Sequence, residues 1–133
     1  MTEIVRIDSR GRVTLPSSLR EGLKLSEGMY VMLIGDLDKK QVRIVPFAHP
    51  EARLMEFQII FSDIPGALAK IAETLAGENI DLLSSESRTL RRGKSAEWII
   101  IADVSDCKCE LQNLKEKLIK EGVAEQVKFR SFP

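Results

Sequence analysis

Two prolines four residues apart, Pro46 and Pro50, cut this 133-residue chain into pieces that cannot share one continuous element. The stretch Pro46-Phe47-Ala48-His49-Pro50-Glu51-Ala52-Arg53 has neither helical period nor strand alternation and reads as a linker. Residues 1–46, without a disulfide, are too few to bury a comfortable core alone. A partner copy is therefore expected. Within this piece the pattern predicts strands at Glu3–Asp8, Val13–Leu15, Tyr30–Ile34 and Val42–Val45, and a short helix over Ser17–Gly22 started by Pro16. Ser9-Arg10-Gly11 reads as a turn, and Asp36-Leu37-Asp38-Lys39-Lys40 as the loop of a second hairpin. Met29-Tyr30-Val31-Met32-Leu33-Ile34 is apolar at every position, so a strand there needs cover on both faces.

Charge narrows the functional classes only slightly. The formal net charge is zero, with eight basic against six acidic residues in 1–50 and twelve against fourteen in 51–133. A nucleic-acid role must therefore rest on where Arg6, Arg10, Arg12, Arg20 and Lys24 sit, not on the total. They punctuate an apolar framework of Ile4, Val5, Ile7, Val13, Leu15, Leu19, Leu23 and Leu25, which places them on ordered structure. An ordinary solvated face is the competing explanation. No apolar run approaches the ~20 residues of a bilayer span, and MTEIVRID is too polar for a signal peptide, so a cytoplasmic protein that does not touch a membrane is expected. Cys107 and Cys109 are the only cysteines, and read as two thiols at a helix start. A mutual disulfide would be strained, and zinc would lack further ligands.

The second piece predicts a strand from about Leu54 through Phe61 and a helix from Gly66 with Leu68, Ile71, Ala72, Leu75 and Ala76 as its apolar positions. Strands follow at Ile80–Leu90 and Ser95–Val104 around an Arg91-Arg92-Gly93-Lys94 turn. A helix over Cys107–Glu121, capped by Asp106 and stopped by Gly122, has the stripe Leu111, Leu114, Leu118 and Ile119; a last strand covers Ala124–Ser131. The order βαββαβ predicts a ferredoxin-like sheet with two helices on one face. Trp98 is expected in the core or at a subunit interface.

The run IVRIDSRGRVTLP, then SSLREGLKL, GMYVMLIG and QVRIVP, resembles the AbrB-type swapped-hairpin family over residues 3–46. That resemblance implies two chains exchanging hairpins into one barrel, with Arg6, Arg10, Arg12 and Arg20 touching double-stranded DNA. Glu21 departs from the pattern, since a second basic residue often follows the helix arginine. The loop Ser62-Asp63-Ile64-Pro65-Gly66-Ala67-Leu68 with Asn79-Ile80-Asp81 resembles the ACT domain, a family of small-molecule sensors, over residues 55–132. The resemblance implies a ligand at Asp63, Ile64, Pro65, Gly66, Ala67 and Leu68, completed by Asn79 and Ile80 of a neighbouring copy. Independently of family, free N–H groups at Gly66, Ala67 and Leu68 suit a carboxylate, and Asp63 suits an ammonium group. An amino acid offers both. The alternative is a helix cap with no ligand, and Phe61 is apolar where some amino-acid-binding members carry a polar residue.

The whole chain is thus expected to be α+β. An N-terminal intertwined swapped-hairpin β-barrel dimer (1–46) is joined through a linker (47–54) to a C-terminal ferredoxin-like βαββαβ domain (55–133). The expected function is a DNA-binding transcription regulator whose sensor domain alters dimer or higher homo-oligomer assembly on binding a small molecule, an amino acid being the simplest fit. An antitoxin-like interaction module, or an amino-acid-binding regulatory subunit that does not bind DNA, are the alternatives. His49 is the lone histidine and lies in the linker, and Ser84, Ser85 and Ser87 have no base beside them. Neither an enzyme nor a cofactor or metal is expected.

Overall fold

The computed structural model describes residues 1–121 and 124–132 and divides the chain into two units, Met1–Pro50 and Glu51–Pro133. The architecture is mixed α+β in the order α1 (Ser17–Leu23), β1 (Tyr30–Asp36), β2 (Gln41–Ala48), β3 (Leu54–Ser62), α2 (Ala67–Gly77), β4 (Asp81–Arg91), β5 (Ser95–Asp103), α3 (Leu111–Glu121) and β6 (Ala124–Ser131). Among the described residues no helix is long and apolar enough to cross a membrane.

In the first unit β1 and β2 form a two-stranded antiparallel hairpin, with Leu33 opposite Ile44 and Asp36 opposite Gln41. β2 runs on through Pro46 to Ala48, where a linker was expected. Pro46 stands opposite Val31 beside a register shift, and such an irregularity tolerates a residue without an N–H. The expected strands Glu3–Asp8 and Val13–Leu15 are absent, because a strand is defined by a hydrogen-bonded neighbour and this single chain supplies none. Only the turn between them forms: the Asp8 N–H donates to the Arg12 carbonyl at 3.0 Å and the Gly11 N–H to the Asp8 carbonyl at 3.1 Å. α1 closes with Lys24 in the left-handed region and the Leu25 N–H on the Arg20 carbonyl. No described residue of Met1–Pro50 is buried; Ile4 is 96% exposed and Leu33 64%.

The second unit holds the core. Its four-stranded antiparallel sheet has the order β4-β5-β3-β6. Strand alternation sends Phe57, Ile59 and Phe61 of β3, Trp98 and Ile100 of β5, and Val127 of β6 to one face. There they meet Ile71 and Leu75 of α2 and Leu114 and Leu118 of α3 in one cluster, with Phe129 edge-on to Phe57 at 4.9 Å between ring centroids. Leu68 and Ile119, expected on the apolar stripes, are exposed: each lies at the margin of its helix's buried face. α3 starts at Leu111, not at Cys107, so Asp106 is no cap and the two thiols lie in the preceding loop. That loop is held instead by turns, the Cys107 N–H donating to the Val104 carbonyl at 3.1 Å. The expected stop at Gly122 lies outside the described residues.

The opposite sheet face carries a polar cluster. Glu97, 4% exposed, accepts from Gln58 Nε2 at 2.6 Å and from Arg88 Nε at 2.9 Å, while Arg130 pairs with Glu56 nearby.

Candidate functional site

In the first unit the sequence concentrates its arginines around one turn, and Asp8 shapes that turn. Its Oδ1 accepts from the N–H groups of Arg10 and Arg12 at 2.8 and 2.9 Å, and its Oδ2 takes Arg12 Nε at 2.8 Å. The Arg12 N–H and then its guanidinium hold the Asp8 carboxyl below the usual carboxylate range. Gly11 adopts φ +75°, the left-handed conformation that allows the chain to reverse here. Arg12 is thereby aimed by its neighbour. Arg20 Nη1 donates to the Leu15 carbonyl at 2.9 Å, so this guanidinium also ties α1 to the segment before it. Arg6 and Arg10 make no salt bridge among the described residues. All four arginines are exposed. The unit therefore presents a set of cations beside an uncovered apolar surface.

The second site lies where the loop after β3 meets the edge strand β4. Phe61, Asp63, Ile64, Gly66 and Leu68 line a cavity of about 310 Å³ with Ser87, Arg88, Thr89 and Ala96. The loop is fastened to the β4–β5 hairpin tip: Asp63 N–H donates to the Lys94 carbonyl at 3.1 Å, and Asp63 Oδ2 accepts from the Gly93 N–H at 3.2 Å. One carboxylate oxygen is thus occupied within the chain. Gly66 precedes α2 with φ +85° and no side-chain cap, so glycine is favoured there by backbone conformation. A Cβ on Gly66 would meet nothing within 4 Å. The Ala67 N–H is already used by the Ile64 carbonyl at 3.2 Å, and Ala67 itself is buried.

Of the eight residues expected at the ligand, Asp63, Ile64, Gly66 and Leu68 come together in this cavity. Pro65 is exposed beside them. Asn79 and Ile80 lie at the far end of α2, whose eleven residues span about 16 Å. Asn79 is exposed with φ +58°, and Ile80 belongs to the core. Sequence reasoning missed Ser87 and Thr89. They stand opposite Trp98 and Ala96 on the helix side of the sheet, and the signal was the alternation Ser85, Ser87, Thr89 on an edge strand. Among the described residues no three His, Cys, Asp or Glu side chains could hold a metal ion.

Comparison with known proteins bears on the two units unequally. Residues 2–39 match the family described as "MraZ protein, putative antitoxin-like". A search of curated proteins gives no significant match. Among solved structures, the C-terminal domain of the MgtC protein from Mycobacterium tuberculosis is similar at 12% identity, covering 63% of this chain and 92% of that one, with a TM-score of 0.49. An ACT domain protein from Streptococcus pneumoniae is similar at 14% identity, covering 61% and 91%, also with a TM-score of 0.49.

Proposed function

We propose that this chain is a ligand-responsive, DNA-binding transcription regulator, acting as a homodimer or larger homo-oligomer in the cytoplasm, without catalysis. The observation that carries the reading is the first unit's lack of any buried described residue, although Ile4, Val5, Ile7, Val13, Val31 and Leu33 supply apolar surface. Such surface is stabilised when a second copy covers it, and the unpaired segments on either side of the Asp8–Arg12 turn gain strand partners in the same step. The resulting intertwined barrel presents Arg6, Arg10, Arg12 and Arg20 from two copies to phosphates of a duplex. In the second unit, the cavity between Asp63–Leu68 and Ser87–Thr89 receives the effector. Its hydroxyls, its partly used carboxylate and its apolar floor of Phe61 and Ala96 fit a small amino acid.

Arg10 is the cleanest probe of the DNA reading, because its side chain holds no salt bridge in the turn. Arg10→Ala is expected to weaken binding of the full-length protein to genomic DNA fragments. It should also flatten the dependence of log affinity on log salt by about 0.9 for each phosphate left without its guanidinium, counted over the assembly. Unchanged affinity and slope would remove Arg10 from the interface, and no DNA binding by the wild type in dilute buffer would end the regulator reading. A thermal-denaturation panel of the twenty amino acids tests the sensor, a specific ligand raising apparent stability by mass action.

The matched family's antitoxin-like description favours a second reading, in which the first unit serves a protein partner. Against it stands the ordered sheet-and-helix second unit, where a toxin-wrapping tail would be disordered until bound.

A further inference from the structure

The loop between β5 and α3 brings together two thiols that neither site above uses. Cys107 and Cys109 are free and half-buried, and both line a cavity of about 490 Å³ with Arg53, Lys108 and Leu111. Cys107 Sγ donates to the Cys109 carbonyl at 3.2 Å. The Cys109 thiol is hydrogen-bonded to the Cys107 side chain and to the Glu78 carboxylate. Glu78 is in turn held by Lys117 Nζ at 2.8 Å.

Backbone hydrogen bonds fix this loop independently of the sulfurs. The Lys108 N–H donates to the Glu78 carbonyl at 3.3 Å, and the Ser105 N–H and Oγ both reach Asp103 Oδ1, at 3.0 and 2.7 Å. Two sulfurs are therefore presented side by side, at the wall of a cavity open enough to admit an ion.

We propose that Cys107 and Cys109 form a two-coordinate site for a soft monovalent cation of the copper(I) or silver(I) class. Thiolate sulfur selects soft cations, and such ions are satisfied by two ligands. Zinc is not, and no third or fourth ligand converges here among the described residues. Loading breaks two S–H bonds, forms two sulfur–metal bonds and releases two protons to solvent, with no electron transfer. The bis-thiolate complex carries one negative charge, which Lys108 and Arg53 on the same cavity offset. A disulfide is the lesser use of this pair, because one intervening residue strains its geometry.

The test is an anaerobic titration of the reduced full-length chain with silver(I), run beside zinc(II). Uptake is counted in excess of a Cys107→Ser/Cys109→Ser double variant. One equivalent of silver is expected, with two protons released and a higher melting temperature, since a site formed only in the folded chain stabilises it. Zinc should do neither. Each single Cys→Ser variant should lose the excess equivalent. Two independent equivalents, full uptake by a single variant, or a lowered melting temperature of the wild type would each overturn the site. The last outcome decides the matter even where a variant fails to fold.

Discussion

Glu97 shows at the scale of one residue how this fold tolerates charge in a closed space. Its two oxygens are taken separately, one by Gln58 and one by Arg88, so the carboxylate is paired without depending on water. The Gln58 amide, followed by Arg88, holds its pKa below the ordinary glutamate value, while burial works the other way. A carboxyl whose folded pKa lies below its unfolded one stabilises the fold fully above the unfolded value, and the contribution is lost as pH falls through the folded value. Urea unfolding followed from pH 7 to pH 3 should therefore show a steeper loss of stability for the wild type than for Glu97→Gln. Glu97→Ala should cost about 1 kcal/mol at neutral pH, since the part-buried Gln58 amide loses its partner while the exposed Arg88 turns to water. None of this was readable in the sequence, where Glu97 is one acidic residue in a hairpin strand. Asp8 was equally silent: the sequence suggested a turn at Ser9-Arg10-Gly11, but not that the preceding carboxylate gathers two N–H groups and a guanidinium.

Helices and strands of the second unit were legible because their apolar spacing matches the geometry that buries them. α2 and β6 fall within a residue of expectation, and Phe57, Ile59 and Phe61 share a face as period-2 spacing demands. α3 failed at its start for a definite reason. Asp106 looked like a cap, but the loop from Val104 to Glu110 is committed to hydrogen bonds with Asp103 and Glu78, and the helix begins only after them. The loop before α2 carries the clearest prediction at this scale. Gly66 sits at φ +85° with open space where a Cβ would be, so Gly66→Ala adds conformational strain and no clash. It should destabilise the protein by about 1–2 kcal/mol in thermal or urea unfolding, the cost of a left-handed non-glycine residue. An equal or greater stability would show that the loop relaxes to another conformation.

For the whole molecule, the contrast between the units governs behaviour in solution. Glu51–Pro133 has a contiguous core, whereas Met1–Pro50 has none among its described residues. Unfolding of the full chain is expected to show a transition of the first unit whose midpoint rises with protein concentration, as for any fold stabilised by a second copy. The transition of the second unit should move less. A first transition independent of concentration over about two orders of magnitude would contradict the proposed homodimer. The sequence by itself determined that the chain is α+β and which faces of α2 and β3 are apolar. These are local properties, set by spacing. Only the tertiary structure decided that Ser87 and Thr89 of the same chain share a cavity with Asp63, and that Cys107, Cys109 and Glu78 meet. Strand pairing and loop hydrogen bonds join residues far apart in the chain, and no local pattern encodes which side chains such long-range register brings face to face.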